Sequence, residues 1–417
     1  MPRRHSRFVR IFGTIVFAIV TVLFAALIVD AFLNDEKPLT SLAPKGKYAQ
    51  DIQNLIVPVF AIAGVVFLGV MLGTILISWK FRERDTDDPE AFPEQVHGRT
   101  TLEIGWTILP ALILAGVAVG TVITLLELNK KPEDAIHIEV VGNQWWWEYK
   151  YDVNNDGNFD GPEDIVTATE MVIPAGRKVA LTTASNDVIH SFWIPGLNGK
   201  KDAVPGITSP LNMEAKEPGI YRGQCTEFCG LSHANMRMLV RAVSAEDYDR
   251  WVENQVERDH AAQPTDPEAQ EGRKVWQALC AQCHVINGIN GPNSDNPQST
   301  PPLVAGTAPN LTHLMTRGTF AGSIFNLYTD VQSTNPGNNS EFLGNDPVDV
   351  AAAGDPGDAL FGGEVDTSKV NTHALEAWLR NPPAEKPMYA QGGRGMPNLG
   401  LTETQIDQLV AFLQTLN

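Results

Sequence analysis

The first third of the chain contains three long apolar runs, at residues 11–33, 55–79 and 104–126. Each run is long enough to cross about 30 Å of hydrocarbon as a helix. Basic residues precede the first run, follow the second and precede the third, which predicts that residues 1–10 and 80–99 lie in the cytoplasm. Everything after the third run is then extracytoplasmic. The first run also fits a cleaved signal peptide, although its core is long for one, and we favour an uncleaved helix.

From residue 136 onward the pattern changes to short strands. Residues 136–141 are rich in β-branched side chains and partly alternate, and similar runs with turn signals continue to residue 243. This predicts a Greek-key β-sandwich with functional residues on loops at one end. Residues 245–263 favour an amphipathic helix, and residues 402–416 favour a second amphipathic helix that closes the chain.

Two thiols, an imidazole and a thioether are concentrated in one short stretch. Cys225 and Cys229 are four residues apart, His233 follows after four more and Met236 after another three. Soft sulfur ligands with imidazole favour copper or zinc, and methionine as a weak extra ligand is typical of copper electron-transfer sites. Two cysteines in one loop suggest two coppers bridged by both sulfurs, so a second histidine is needed, for which His190 is the best candidate. A buried disulfide beside a chance histidine is the structural alternative.

A Cys-x-x-Cys-His motif begins a second candidate redox module. Its residues are Cys280, Cys283 and His284. The motif attaches c-type haem through two thioethers, with the histidine as the proximal axial ligand. A redox dithiol is the alternative, but the adjacent histidine and the extracytoplasmic location favour haem. A low-spin electron carrier needs a sixth ligand, usually methionine; Met396, which precedes a proline, fits the cytochrome c pattern, while Met388 is the rival and Met315 a weaker third.

Residues 152–163 fit a calcium-binding loop, with glycine at the sixth position. Its oxygen donors are Asp152, Asn154, Asp156, Asn158, Asp160 and Glu163. The flanks favour strands rather than helices, so we expect the tip of a β-hairpin that holds calcium and not an EF-hand. A solvated turn rich in Asn, Asp and Gly is the alternative.

The stretch Gly-Gln-Cys-x-Glu-x-Cys-Gly-x-x-His-x-x-Met, with Val-Ile-His-Ser-Phe upstream, resembles the copper A loop of cytochrome c oxidase subunit II. The resemblance implies a dinuclear centre bridged by both thiolates. It implies that His190 and Met236 complete one copper, while His233 and the backbone carbonyl of Glu227 complete the other. It also implies that the Glu227 carboxylate reaches a magnesium ion at the subunit boundary.

Two further stretches resemble the same family. Glu103 opens a Glu-x-x-Trp-Thr-x-x-Pro stretch, which in the family lies at the mouth of a proton channel of subunit I; an interfacial anion without a role is the alternative. Residues 144–147 resemble the Gln-Trp-aromatic-Trp stretch beside the copper pair, where the first tryptophan, here Trp145, receives electrons. A packing or membrane-interface role for this tryptophan is the alternative.

The resemblance covers nearly the whole chain, which is similar to subunit II of caa-type haem–copper oxidases with a fused cytochrome c. The implied fold is multi-domain, with N-terminal transmembrane α-helices, a Greek-key cupredoxin β-sandwich and a C-terminal all-α cytochrome c domain. The expected segments are a membrane segment or signal anchor (1–34), a transmembrane helical hairpin (50–130), a copper A domain (135–245), a helix and linker (246–267) and a cytochrome c domain (268–417).

The implied function is electron transfer from a donor, such as cytochrome c or a quinol:cytochrome c reductase, through haem c and copper A to subunit I. Oxygen is reduced there to water, coupled to proton pumping. The expected partners are subunit I and other oxidase subunits, and the expected location is a bacterial cell membrane, with several spans and both redox domains outside. The net charge of −18 argues against nucleic-acid binding. Two other interpretations remain: the copper A subunit of a nitric oxide reductase, and a membrane-tethered electron carrier outside any enzyme.

Overall fold

The computed structural model describes nine ranges of the chain. These are residues 7–33, 39–82, 97–159, 161, 163–256, 264–290, 307–328, 355–389 and 393–417. The candidate calcium ligand Asp160, the end of the predicted helix beyond residue 256 and most of two long loops lie outside them. The chain divides into two compact units, one formed by Gln50–Lys130 and the other by Met1–Ala49 with Lys131–Asn417.

All three apolar runs are helical. The helices are α1 (Arg7–Leu33), α2 (Lys47–Lys80) and α3 (Thr100–Leu128). Helices α2 and α3 are long and apolar enough to cross a membrane, and their large apolar side chains are exposed. In α1 the apolar part that can be assessed is Ile15–Asp30, which is shorter. The two membrane helices that follow α1 are thus confirmed as predicted, and a membrane role for α1 stays a prediction.

The described residues between 136 and 243 form ten strands. They are β1 (Ile136–Asn143), β2 (Trp146–Asp152), β3 (Ile165–Ala168), β4 (Glu170–Pro174), β5 (Val179–Ser185), β6 (His190–Phe192), β7 (Lys201–Ala203), β8 (Ser209–Met213), β9 (Gly219–Gln224) and β10 (Arg237–Val243). One sheet has the order β3-β2-β1-β5-β8 and a second has the order β4-β10-β9, while β6 pairs with β7. Side chains from both sheets share one buried core, so the predicted β-sandwich is confirmed.

The C-terminal part of the chain is mainly helical. Its elements are α4 (Ala245–Val256), α5 (Pro267–Leu279), β11 (Thr319–Phe320), β12 (Phe325–Asn326), α6 (Thr372–Arg380), α7 (Pro382–Glu385) and α8 (Glu403–Leu413). Helices α5, α6 and α8 and strands β11 and β12 share a second hydrophobic core, while the buried tyrosine and tryptophan of α4 join the core of the sandwich. The expected all-α class is right for this domain apart from the short β11–β12 hairpin.

Helices α5 and α8 close the C-terminal domain by direct backbone approach. A side-chain carbon at Gly272 would collide with the carbonyl of Gln408 and lie 2.9 Å from Cβ of Phe412. Only glycine therefore lets the two helices cross at this point. Helix α8 begins at Glu403 with Thr402 as its N-cap, and Thr402 and Gln405 form a capping box, so the predicted start of this helix is confirmed.

Candidate metal and electron-transfer sites

Three adjacent elements of the sandwich bring the predicted copper ligands together. Cys225 directly follows β9, Met236 directly precedes β10, and His190 begins β6. The two sulfur atoms of Cys225 and Cys229 lie 3.9 Å apart. The Cys225 sulfur is 3.9 Å from Nδ1 of His190, and the Cys229 sulfur is 3.7 Å from Sδ of Met236. Both thiols are free rather than joined in a disulfide, and His190, Cys225 and Cys229 form a buried group with metal-binding spacing.

The remaining predicted ligands lie on the outer side of the same loop. Nδ1 of His233 is 3.5 Å from the Cys229 sulfur, and the backbone carbonyl of Glu227 is 3.4 Å from the Cys225 sulfur. The Glu227 side chain itself is exposed. Two sulfurs, two imidazole nitrogens, a thioether and a carbonyl thus converge, which is the donor set of a thiolate copper site and not of a magnesium or calcium site.

The two thiols titrate as a pair. The hydrogen bond between them lowers the pKa of Cys225 to about 4. The same contact, with burial, raises the pKa of Cys229 far above its usual range. One proton therefore leaves the pair readily and the second is held strongly. Metal binding requires both cysteines as thiolates. A bound metal therefore has to displace this second proton.

Asp187 orients the buried His190 ring. Its carboxylate lies 2.8 Å from Nε2 of His190, which leaves Nδ1 facing the Cys225 sulfur. Burial disfavours charge on both groups, but their mutual hydrogen bond outweighs it and lowers the pKa of Asp187 while raising that of His190. Carboxylates that fix a metal-binding histidine in this way tune the affinity of the site. The sequence analysis did not identify Asp187, and its only local signal is its place three residues before the histidine.

The carbonyl of Cys229 is a second point of fixation for the copper loop. It accepts hydrogen bonds from Nε2 of Gln144 at 2.6 Å and from Nε1 of Trp145 at 3.2 Å. The Trp145 ring also packs close to Gly230, where an added Cβ would lie 3.2 Å from the indole. Trp145 is buried, as are Trp146 and Trp147. The predicted electron-accepting tryptophan therefore lies directly against the copper loop.

In the Cys-x-x-Cys-His segment, one ring nitrogen of the histidine is fixed by the backbone. Nδ1 of His284 is bonded to the carbonyl of Pro309 at 2.7 Å, which leaves Nε2 available. Burial lowers the pKa of His284, so the imidazole is neutral and suited to binding iron. Cys280 and Cys283 are free thiols within one turn of it. The buried Nε of Arg317, a cation close enough to influence His284, has no hydrogen-bond partner among the described residues, and an acidic edge of a cofactor would satisfy it.

The three candidate methionines lie in different surroundings. Met396 packs against the core of the C-terminal domain, the same core that contains Cys280. Met388 packs instead against the core of the sandwich. Met315 is completely buried within the C-terminal core. Met388 and Met396 thus face different cores, although they belong to one turn in which Met388 lies against Gly395.

Glu103 lies in the first turn of α3, and its side chain is exposed.

The candidate calcium loop joins the antiparallel strands β2 and β3, so the predicted hairpin tip is confirmed. Within it the carboxylate of Asp152 accepts hydrogen bonds from the backbone N–H groups of Asp156 and Gly157, at 3.0 and 2.9 Å. Asn154 and Glu163 are hydrogen-bonded to each other across the loop.

In metal-free protein, we expect Asp187→Asn to lower the free energy of unfolding by about 1–3 kcal/mol because it removes a charged hydrogen bond to His190. The lowered pKa of Asp187 stabilises the fold above about pH 3.8, and the raised pKa of His190 stabilises it below about pH 6.5. The difference between parent and variant should therefore be largest between these values. It should shrink as pH rises through the raised pKa of His190.

Thermal melting of chelator-treated protein across pH 3–9 measures this difference. Asp202→Asn, an exposed substitution in β7, is the matched control and should show no such window. A parent-to-variant difference that does not change with pH would contradict the assigned ion pair.

Comparison with known proteins gives two family matches. Residues 136–243 match "Cytochrome C oxidase subunit II, periplasmic domain", and residues 43–122 match "Cytochrome C oxidase subunit II, transmembrane domain". Cytochrome c oxidase subunit 2 of Alkalihalophilus pseudofirmus is 37% identical over 272 residues, which are 64% of this chain and 75% of that protein. The subunit 2 of Bacillus sp. strain PS3 is 28% identical over 396 residues, 91% of each chain.

Among solved structures, the periplasmic domain of subunit II of cytochrome oxidase from Bradyrhizobium japonicum is 28% identical. The match covers 30% of this chain and 95% of that domain, with a TM-score of 0.27. The membrane-capable helices and the match to a periplasmic domain describe a membrane-anchored protein whose β-sandwich lies outside the membrane. The chain belongs to the cytochrome c oxidase subunit II family and is a subunit of a haem–copper oxidase that works with other oxidase subunits.

Proposed function

We propose that this chain is the subunit II of a caa-type oxidase, in which covalently attached haem c and a dinuclear copper A centre carry electrons to subunit I. Subunit I reduces oxygen to water and pumps protons. The observation that carries the proposal is the buried convergence of both thiols with His190. The second redox module is supported by the free thiols at Cys280 and Cys283, beside a neutral imidazole whose Nδ1 is already bonded.

In this proposal the chain's own residues hold the metals in a fixed environment. Both thiolates, of Cys225 and Cys229, would hold the copper pair, with His190 and Met236 as the further residues for one copper and His233 and the Glu227 carbonyl as those for the other. The copper pair supplies a centre that takes up and gives back one electron with little change in each metal–ligand bond. Because the sulfurs already lie 3.9 Å apart in a buried loop, the protein needs little rearrangement to bind or to cycle.

The attached haem supplies a one-electron carrier whose potential depends on its axial ligands. His284 and Met396 are the residues that would hold its iron, and Cys280 and Cys283 those that would attach it. The packing of Met396 in the same core as Cys280 supports it over Met388, which faces the sandwich core.

Three further residues have proposed roles in electron transfer and at the contacts with subunit I. Trp145 receives the electron next to the copper loop, a role supported by its hydrogen bond to the Cys229 carbonyl. Glu103, exposed at the start of α3, lies at the mouth of the proton path of subunit I. The exposed Glu227 carboxylate holds magnesium at the contact with subunit I.

In the same proposal, the electron donor is a cytochrome c or a quinol:cytochrome c reductase. The membrane that contains the complex is that of a bacterial cell.

We further propose that the β2–β3 hairpin loop binds calcium. Support comes from the described donors Asp152, Asn154, Asp156, Asn158 and Glu163, which crowd one short loop with glycine at its sixth position. The carboxylate of Asp152 already fixes two backbone N–H groups. A cation here would offset the mutual repulsion of the acidic side chains.

The proposed function predicts the metal content, the absorption spectrum and the substrate of the purified complex. Purified complex should contain two copper atoms in this subunit, absorb in the near infrared and show a haem c band, and it should consume oxygen rather than nitric oxide. Cys229→Ser should abolish the near-infrared band and lower oxygen consumption by at least about 100-fold because one bridging ligand is lost. A single copper atom, or nitric oxide as the substrate consumed, would contradict the proposal.

Met396→Ala should convert the haem from low spin to high spin because the strong sixth ligand is lost. Met388→Ala is the matched control and should leave the optical spectrum unchanged. If the spectra behave the other way round, Met388 is the ligand. Absorption and electron paramagnetic resonance spectra of both variants decide between them.

Calcium at about 100 times its dissociation constant should stabilise the protein by about 2.7 kcal/mol, measured as a rise in melting temperature. Asp152→Asn with Asp156→Asn should remove this rise because both donors lose their charge. Asp366→Asn, an acidic residue of an exposed ion pair in the C-terminal domain, serves as control. A melting temperature of the parent that does not respond to chelator would rule out calcium binding.

A further inference from the structure

A strained turn of the C-terminal domain lies against the copper domain. Residues Ala321, Gly322 and Ser323 connect β11 to β12, and we call them the docking turn. Their φ angles are 54°, 78° and 57°, so three consecutive residues have left-handed backbone. Non-glycine residues are kept in this conformation only where surrounding contacts over-determine it, and such strain concentrates at functional positions.

The docking turn is hydrogen-bonded to the copper domain at two places. The N–H of Arg237, next to the copper ligand Met236, donates to the Gly322 carbonyl at 3.0 Å. The Ser323 hydroxyl donates to the Thr169 carbonyl at 3.2 Å. A Cβ at Gly322 would lie only 2.7 Å from the carbonyl oxygen of Trp145, so this close approach also requires glycine.

Lys386 joins the same contacts from a second segment of the C-terminal domain. Its side chain is 3% exposed. Its Nζ donates to the Trp145 carbonyl at 2.7 Å and to the Ala321 carbonyl at 2.8 Å. Lysine is almost never buried without partners. Burial lowers the pKa of Lys386 to about 7, yet the amine can donate two hydrogen bonds in either charge state.

These bonds form an unbroken connection between the two redox domains. The docking turn is bonded to Lys386, Lys386 to the backbone of Trp145, and the Trp145 indole to the carbonyl of the copper ligand Cys229. Next to Lys386, the Ser232 hydroxyl of the copper loop donates to the Pro387 carbonyl. Arg394, two residues before Met396, makes a second and more exposed bridge, at 3.5 Å from the Asp187 carboxylate.

We propose that Lys386 is a positioning residue that locks the haem-bearing domain onto Trp145 and so fixes the separation between haem c and the copper loop. The inference rests on the proposed function. In the step concerned, one electron leaves ferrous haem, which becomes ferric, and the oxidised copper pair is reduced by that one electron; no bond is formed and no proton moves. The external donor reduces the haem again.

The test uses the complete oxidase with Lys386→Met, which keeps the apolar stem and removes the donor, and Lys386→Gln, which keeps a shorter donor. Lys369→Met, in an exposed ion pair of the same domain, is the matched control. Amide hydrogen exchange of the segment containing Arg237 reports on docking without any cofactor. The rate of electron transfer from haem to copper after flash reduction reports on the consequence.

We expect Lys386→Met to speed exchange around Arg237 and to slow haem-to-copper transfer by about tenfold or more, since misplacement of reacting partners by about 1 Å has effects of this size or larger. Both cofactor bands and the KM for the external donor should stay at parental values, Lys386→Gln should recover part of the rate, and Lys369→Met should change nothing. A parental transfer rate in Lys386→Met with both cofactors bound would overturn the proposal.

Gly322→Ala provides an independent route if Lys386→Met fails to load copper. It pushes the docking turn away from Trp145 and leaves every proposed ligand in place, so the same slowing is expected, and a parental rate overturns the inference. Failure of the proposed function has a different signature, because the parent protein would then lack the haem band or the near-infrared copper band. In that case parental exchange around Arg237 in Lys386→Met would still overturn the docking role.

Discussion

The structure depends on holding two thiols side by side in a dry loop. The sulfurs of Cys225 and Cys229 lie 3.9 Å apart in a place where two negative charges would repel strongly without metal. The sandwich resists that repulsion by anchoring the loop at both ends, with Cys225 at the end of β9 and Met236 at the start of β10, which pair as neighbours in one sheet. Asp187 on one side and Gln144 with Trp145 on the other then fix the surrounding groups.

Charge at the junction of the two domains in this unit is also buried and paired. The carboxylate of Glu170, in β4, bonds to the guanidinium of Arg241 and accepts the N–H of Gly318 from the C-terminal domain at 2.9 Å. Removing one partner of such a buried group leaves an uncompensated charge, which is strongly destabilising. By contrast, the exposed pair of Arg380 and Glu403 contributes little to stability. The buried contacts of Glu170 therefore help to hold the two domains in register.

Local sequence patterns predicted many of the helices, strands and candidate ligands. The apolar runs, the strand alternation, the spacing of the copper ligands and the hairpin around Asp152 all depend on residues close in sequence. His190 was found although it lies 35 residues from Cys225, because the ligand set required a second histidine. Lys386 and Trp145 are 241 residues apart, and no periodicity or motif relates them. The docking turn was missed for the same reason, since a left-handed alanine and serine leave no mark in the sequence.

The crossing of α5 and α8 at Gly272 joins two segments that are far apart in the sequence. Helix α5 can pack against its partner only after Gln408 and Phe412, much further along the chain, have been synthesised. Domains fold as units as the chain emerges. Cys280 and Cys283 are therefore synthesised before the domain that surrounds them can close. Under the proposed function, both thiols are accessible for haem attachment in this interval, and the packing of α8 against α5 ends it.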